Sequence, residues 1–231
     1  MRICLLGLPR CGSQFISGLI KLTLRPCLNL AEPYTPGHKY TIIKEDKHLK
    51  IVKNTMNFSS LNDQIEYVSS TLKLGRIDHS IIMKVFLTHP TVPFLEKIIN
   101  DLQELNFDFL IVKRENIEHQ LLSWLIAKES NKWCSLDGKH ISPITITNIT
   151  NADWLYSDML KFDELITQFK IDVPTIRYEH AVEDLSKYLN TPIRTHTLLK
   201  KQVIDDPYDM IVNADEVREH IKRLLNDRTI Y

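Results

Sequence analysis

The residues best suited to chemistry lie at the start of the chain, where positions 3–16 read Ile-Cys-Leu-Leu-Gly-Leu-Pro-Arg-Cys-Gly-Ser-Gln-Phe-Ile. Gly7 and Gly12 are five positions apart, Arg10 lies between them, and Ser13 begins a stretch with helical periodicity. Glycines allow a tight turn that directs backbone N–H groups inwards, and the N-terminus of the next helix adds partial positive charge. This pattern predicts a loop that binds a phosphate or a similar anion.

The loop differs from the usual phosphate-binding sequence GxxxxGK[ST], because the lysine is absent and Arg10 lies inside the loop instead. None of the apolar runs ends directly in an aspartate that could hold Mg²⁺, as enzymes with that sequence require. The sequence shows no cluster with metal-ligand spacing, so no metal is expected. Two alternatives stay open: a tight turn whose glycines serve packing alone, and a phosphoryl-transfer enzyme that has lost its lysine.

A second motif follows about a hundred residues later. The apolar run 108–113 is followed by Arg114, and Ser123 lies nine positions further on, in a predicted helix. Open α/β sheets bind ligands at the carboxyl ends of their strands, and an arginine fork with a serine hydroxyl can hold one phosphate. The alternative is an ordinary helix with a buried serine and a surface arginine.

The loop at 9–15 resembles the 5′-phosphosulfate loop of sulfotransferases that use 3′-phosphoadenosine 5′-phosphosulfate (PAPS), in which a basic residue precedes Ser-Gly-Thr-Thr and an aromatic residue. Cys11 replaces the serine and Gln14 replaces the second threonine, although its amide can still donate to a phosphate. The matching residues are Arg10, Gly12, Ser13 and Phe15.

Arg114 and Ser123 resemble the 3′-phosphate motif of the same family, and their spacing is similar to that of bacterial and phage-type members. The resemblance implies that these two residues hold the 3′-phosphate and that Arg10 stabilises charge on the sulfuryl and bridging oxygens. It also implies that the backbone N–H groups of Cys11, Gly12, Ser13 and Gln14 hold the 5′-phosphate. PAPS would be the co-substrate, and 3′-phosphoadenosine 5′-phosphate (PAP) the product.

Two residues are candidates for the catalytic base. Glu32 lies at a position where some bacterial members carry a glutamate, and His89 resembles the Thr-His pair of the animal enzymes. The spacing of the second motif slightly favours Glu32, while histidine has the more suitable ordinary pKa. Lys84 interrupts a buried apolar run, so it either points into the cleft or extends past the edge of its strand.

The elements that must position these residues alternate between strand and helix along the chain. Continuous apolar runs predict buried parallel strands at 3–7, 80–87, 108–113 and 174–178. Helical periodicity predicts helices at 14–24, 92–105, 116–129, 153–169 and 214–226. We therefore expect one α/β domain over 1–231, with a central parallel sheet flanked by helices in a P-loop-like sulfotransferase architecture. Segment 39–53 is predicted to form an antiparallel flap, and 131–152 a surface loop.

The composition narrows the function further. The chain has 231 residues and a formal net charge of zero, which argues against nucleic-acid binding. It contains no apolar run long enough for a membrane span and no secretory signal pattern, so a cytoplasmic protein is expected. The predicted function is sulfuryl transfer from PAPS to a hydroxyl or amine of a small-molecule or glycan acceptor. The alternatives are a P-loop-like phosphotransferase and a non-catalytic protein that keeps the fold.

Overall fold

The computed structural model describes residues 1–34, 40–45, 48–53, 58–74, 79–86, 92–131, 142–169, 171–194 and 206–226. The strands are β1 (Arg2–Gly7), β2 (Cys27–Asn29), β3 (Tyr40–Glu45), β4 (His48–Lys53), β5 (Ser80–Phe86), β6 (Asp108–Lys113) and β7 (Thr175–Arg177). The helices are α1 (Ser13–Thr23), α2 (Leu61–Leu74), α3 (Val92–Glu104), α4 (Ile117–Ser130), α5 (Asn151–Gln168), α6 (Ala181–Leu189) and α7 (Ala214–Asn226), with a 3₁₀ turn at Pro207–Met210. In the described ranges, no helix combines the length and apolar character needed to cross a bilayer.

Five of the strands form a parallel sheet in the order β2-β5-β1-β6-β7. The central strand is β1, where Leu5 lies level with Lys84 of β5 and Cys4 lies level with Phe109 of β6. The predicted fold class, an α/β protein with a central parallel sheet flanked by helices, is confirmed.

The antiparallel excursion predicted at 39–53 is also found, because β3 and β4 pair antiparallel in a separate two-stranded sheet. Position 39 itself lies outside the described residues. In the predicted loop 131–152, residues 132–141 are likewise outside the described part of the chain. The described remainder is irregular until α5, which begins at Asn151 and therefore two residues earlier than predicted.

The sheet is buried on both faces, as its continuous apolar strands require. One face packs against α1 and α6, through residues such as Ile3, Ile82 and Ile16. The opposite face packs against α2, α3 and part of α5, through residues such as Cys4 and Met83. Alternate residues of each strand therefore support different helix layers.

The topology creates a crevice at the carboxyl edge of the sheet. From β1 the chain moves through α1 towards β2, and from β6 it moves the opposite way towards β7. In open α/β sheets the ends of two such neighbouring strands form the usual ligand-binding crevice. The loop that contains Arg10 follows β1 and Arg114 follows β6, so both predicted motifs lie at this crevice.

Candidate anion-binding site

The loop between β1 and α1 is a tight turn with two residues in the left-handed region. Arg10 has φ 64° and Gly12 has φ 90°. The Cys11 N–H donates to the Leu8 carbonyl at 3.3 Å, which closes the turn. A Cβ atom on Gly7 would lie 2.9 Å from Cys11 Sγ and 3.2 Å from the Val112 carbonyl oxygen. Glycine is therefore required where β1 enters the loop.

Gly12 is required by its neighbour as well as by its backbone conformation. A Cβ atom at this position would lie 2.0 Å from Cδ2 and 2.8 Å from Cε2 of Tyr178. The aromatic ring thus occupies the space that any other residue at position 12 would need. Tyr178 is fixed there because its N–H donates to the Lys113 carbonyl at 2.8 Å, at the end of β6.

Helix α4 holds the loop from the other side. Arg10 Nε donates to Ser123 Oγ at 2.8 Å, and Nε2 of the buried Gln120 donates to the Pro9 carbonyl at 2.8 Å. The structure therefore brings together residues from the two predicted motifs. Ser123 was expected beside Arg114, whereas its hydroxyl here accepts a hydrogen bond from Arg10.

The left-handed conformation of Arg10 leads to a testable stability difference. An alanine at φ 64° is strained and a glycine is not, so Arg10→Gly is expected to be about 1 kcal/mol more stable than Arg10→Ala. Both variants lose the same hydrogen bond to Ser123, so the comparison isolates the backbone. Urea unfolding measures the difference.

The matched control is Lys21, an exposed residue in the last turn of α1. Here Lys21→Gly is expected to be less stable than Lys21→Ala by up to about 1 kcal/mol, because glycine is unfavourable in a helix. If alanine were also the more stable residue at position 10, the strained conformation assigned to Arg10 would be wrong.

Arg114 lies at the end of β6, where its side chain is mostly buried. Its Cζ lies 4.9 Å from the centroid of the Tyr178 ring, and its Nε lies 3.7 Å from Glu179 Oε1. Burial lowers the pKa of the guanidinium, while Tyr178 and Glu179 act in the opposite direction. Within the described part of the chain, Nε is a buried donor that makes no hydrogen bond. A hydrogen-bond acceptor, such as a phosphate oxygen, would stabilise this cation.

Glu32 is positioned by the turn that follows β2. Asn29 Oδ1 accepts from the Ala31 N–H at 2.9 Å, and Ala31 adopts φ 55°. The Ala31 carbonyl accepts from the Lys84 N–H at 2.7 Å, which extends the pairing with β5 by two residues. On the far side, Gln64 Nε2 donates to the Pro33 carbonyl at 2.8 Å. The chain is therefore fixed on both sides of Glu32.

Lys84 joins Glu32 to the first turn of α1. Lys84 is 5% exposed, and its Nζ donates to Glu32 Oε1 at 2.7 Å and to Gln14 Oε1 at 3.1 Å. The side chain therefore runs beneath the loop rather than past the strand edge. Because Gln14 Oε1 accepts from Lys84, Nε2 is the end of its amide that can donate to a ligand.

Of the remaining predicted residues, two lie at the start of α1 and one lies outside the described part of the chain. Ser13 and Cys11 are buried at the start of α1, and burial raises the pKa of the Cys11 thiol, so a thiolate nucleophile is not favoured at this position. His89 lies outside the described residues.

Sequence reasoning gave no site role to Tyr178 or Gln120. No local pattern in the sequence indicates that either residue contacts the loop.

Comparison with known proteins gives no assignment: the chain matches no known family model, and no curated protein sequence is significantly similar to it. The function of the site must therefore be argued from its geometry. Across the described ranges, His, Cys, Asp and Glu side chains form no group of three or more that could hold a metal ion. The arrangement is instead three cations, Arg10, Lys84 and Arg114, around one helix N-terminus. Such an arrangement can bind a ligand with more than one anionic group.

Proposed function

We propose that this protein binds PAPS and transfers its sulfuryl group to a hydroxyl or amine of a small-molecule or glycan acceptor, releasing PAP. The observation that carries the proposal is the convergence of Arg10, Lys84 and Arg114 on the loop between β1 and α1. The first turn of α1 itself contains no acidic residue, and the nearby Glu32 carboxylate is paired with Lys84. Arg10 and Lys84 at the loop, together with Arg114 over the Tyr178 ring, provide cations for a ligand that carries two phosphates.

The loop and Arg114 would divide the donor between them. Backbone N–H groups of Gly12 to Gln14 bind the 5′-phosphate, whereas that of Cys11, which was expected to join them, already donates to the Leu8 carbonyl. Arg10, whose orientation is fixed by Ser123, stabilises charge on the sulfuryl and bridging oxygens. Arg114 binds the 3′-phosphate as a planar fork. Ser123 donates to the same phosphate when its hydroxyl, which already accepts from Arg10, turns its hydrogen towards it.

Transfer then requires a base, and Lys84 acts as a second cation beside Arg10. The acceptor atom bonds to sulfur as the bond from sulfur to the bridging phosphate oxygen breaks, and PAP keeps that oxygen in its 5′-phosphate. The proton of the acceptor passes to the Glu32 carboxylate, which Lys84 orients at 2.7 Å. The Lys84 ammonium also stabilises the negative charge that develops on the bridging oxygen.

Lys84 also favours one alternative function. Its ammonium reaches the first turn of α1, where the loop lysine of a phosphoryl-transfer enzyme would act. A P-loop-like phosphotransferase with its lysine supplied by β5 is therefore the second candidate.

For either reaction we propose a cytoplasmic location, because Cys4, Cys11 and Cys27 are free thiols, as is usual in a reducing compartment.

Calorimetric titration with PAP, adenosine 5′-monophosphate and ATP with Mg²⁺ tests the proposal. PAP is expected to bind the wild-type protein, and Arg114→Gln is expected to weaken PAP about 30-fold, because a charged hydrogen-bond donor is lost. Binding of the 5′-monophosphate should change little, because that ligand lacks the 3′-phosphate. Labelled PAPS offered with a panel of hydroxyl and amine acceptors then tests turnover.

The matched control is Lys113→Gln, which removes a neighbouring but exposed cation that pairs with Asp163. This variant should bind PAP as the wild type does. Binding of ATP with Mg²⁺ but not PAP would favour phosphoryl transfer. Failure of every nucleotide to bind would exclude both enzyme functions and leave a non-catalytic protein that keeps the fold.

A further inference from the structure

Tyr178 contacts both halves of the candidate donor site. On one side its ring occupies the space next to Gly12, where a Cβ atom would lie 2.0 Å from Cδ2. On another side the guanidinium of Arg114 lies over the ring, with Cζ 4.9 Å from its centroid. The loop after β1 and the arginine after β6 are therefore linked through one aromatic side chain.

Helix α1 takes part in the same contact. Phe15, in the first turn of α1, meets the Tyr178 ring edge-to-face, with centroids 5.9 Å apart and an interplanar angle of 76°. This turn also carries Ser13 and Gln14. If the ring changed position, it would therefore push on the residues that would bind the 5′-phosphate. Gly12 has no side chain that could absorb such a movement.

Arg114 is held on the ring more by its surroundings than by hydrogen bonds. Its Nε is buried and makes no hydrogen bond to the described residues, and its carboxylate neighbour Glu179 lies 3.7 Å away. Both oxygens of Glu179 already accept from the Glu115 and Asn116 N–H groups, at 3.0 and 3.3 Å. The carboxylate is thus fixed by the backbone, and the ring of Tyr178 is the surface that orients the guanidinium.

We propose that Tyr178 is a positioning residue that couples the two anion-binding halves, so that an anion on Arg114 strengthens binding of a second anion in the loop after β1. The inference rests on the proposed function for its natural ligand, which carries both phosphates. An anion on Arg114 fixes the guanidinium, the guanidinium fixes the ring, and the ring fixes the loop. Whichever phosphate binds second then finds its site already ordered.

A ligand cycle measures this coupling. NMR titration gives the affinities of four ligands: PAP, adenosine 5′-monophosphate, adenosine 3′-monophosphate and adenosine. Together they give the ligand factor, which is the factor by which a 3′-phosphate increases the gain in affinity that the 5′-phosphate provides. Repulsion between the two phosphates contributes equally in every variant and cancels between them. Tyr178→Phe is expected to keep the wild-type factor because it keeps the ring, and Tyr178→Leu is expected to lower it about tenfold. An unchanged factor in Tyr178→Leu, or equal weakening of all four ligands, would overturn the proposal.

A second measurement needs no nucleotide. Arg114→Gln is expected to shift the Gly12 amide resonance in the wild-type and Tyr178→Phe backgrounds but not in Tyr178→Leu. If this pattern is seen and PAP fails to bind, the coupling stands and the PAPS assignment fails. If PAP binds and Arg114→Gln leaves the Gly12 resonance unchanged in every background, the proposed coupling is wrong and the PAPS assignment stands. Should Tyr178→Leu not fold, Phe15→Leu is measured instead, because it removes the edge-to-face contact and keeps an apolar side chain against the core. It must then lower the ligand factor while Tyr178→Phe does not.

Discussion

Glu32→Leu is expected to lower the free energy of unfolding by about 3 kcal/mol, because it leaves the Lys84 ammonium buried without its counter-charge. The Lys84 side chain is 6% exposed and the Glu32 side chain 24% exposed, so the two partners are not equivalent. Removing the lysine leaves a carboxylate that water can reach. Lys84→Met should therefore cost about 1 kcal/mol, and urea unfolding of both variants measures the asymmetry.

Two further variants make the Glu32 result specific. The double variant Glu32→Leu with Lys84→Met should recover most of the loss, since a buried ion pair can be replaced by apolar side chains at little cost. Glu66→Leu, which breaks the exposed pair with Lys97, should cost far less than Glu32→Leu, because water screens both charges. Equal costs for Glu32→Leu and Glu66→Leu would show that Lys84 is not held as the structure places it.

The same pair separates folding from chemistry. Glu32→Gln keeps a hydrogen-bond acceptor for Lys84 and removes the base, so PAP binding should survive while sulfuryl transfer is lost. Measured with the donor in excess, a loss of about a hundredfold or more in turnover is expected for a missing general base. Full turnover in Glu32→Gln would exclude Glu32 as the base and leave His89 as the remaining candidate.

Gly12→Ala is expected to lower the free energy of unfolding by about 3 kcal/mol. The new methyl group would lie 2.0 Å from Tyr178 Cδ2, and moving the ring costs about 1–3 kcal/mol, as overpacking usually does. The backbone at φ 90° adds about 1 kcal/mol for a residue that has a Cβ atom. For a chain of this length the melting temperature should fall by roughly 10 °C.

A double-mutant cycle with Tyr178→Ala separates these two contributions. Without the ring, Gly12→Ala should cost only the backbone term of about 1 kcal/mol. The difference between the two backgrounds is then the energy of the steric contact. An equal cost in both backgrounds would mean that the ring does not lie against Gly12.

Much of the framework could be predicted from the sequence because it depends on local pattern. Buried parallel strands are continuous apolar runs, and the four predicted strands coincide with β1, β5, β6 and β7 within about one or two residues at each end. Two helices were missed. Helix α2 carries Leu61, Ile65, Val68 and Leu72 at helical spacing, a signal that was present, whereas α6 is only nine residues long and its periodicity covers two turns.

The candidate site, likewise, could be predicted from the sequence only in part. The turn after β1 could be predicted because its glycines, Arg10 and Ser13 are contiguous, and the role of a glycine follows from its own backbone. The partner of Lys84 could not, since a buried lysine in a strand only shows that some partner or ligand must exist. Likewise nothing local to Tyr178 indicates that its ring lies against Gly12.

The sequence by itself therefore determined which segments are strands and helices and which residue types stand at the ends of the strands. The tertiary structure alone decided which of those residues meet. Arg10 and Ser123 are 113 positions apart and Glu32 and Lys84 are 52 apart, yet each pair is joined by one hydrogen bond. Those contacts follow from the order β2-β5-β1-β6-β7, which sets β5 and β6 on either side of β1. Hydrophobic periodicity does not encode that order, because every strand of a parallel sheet buried on both faces has the same apolar pattern.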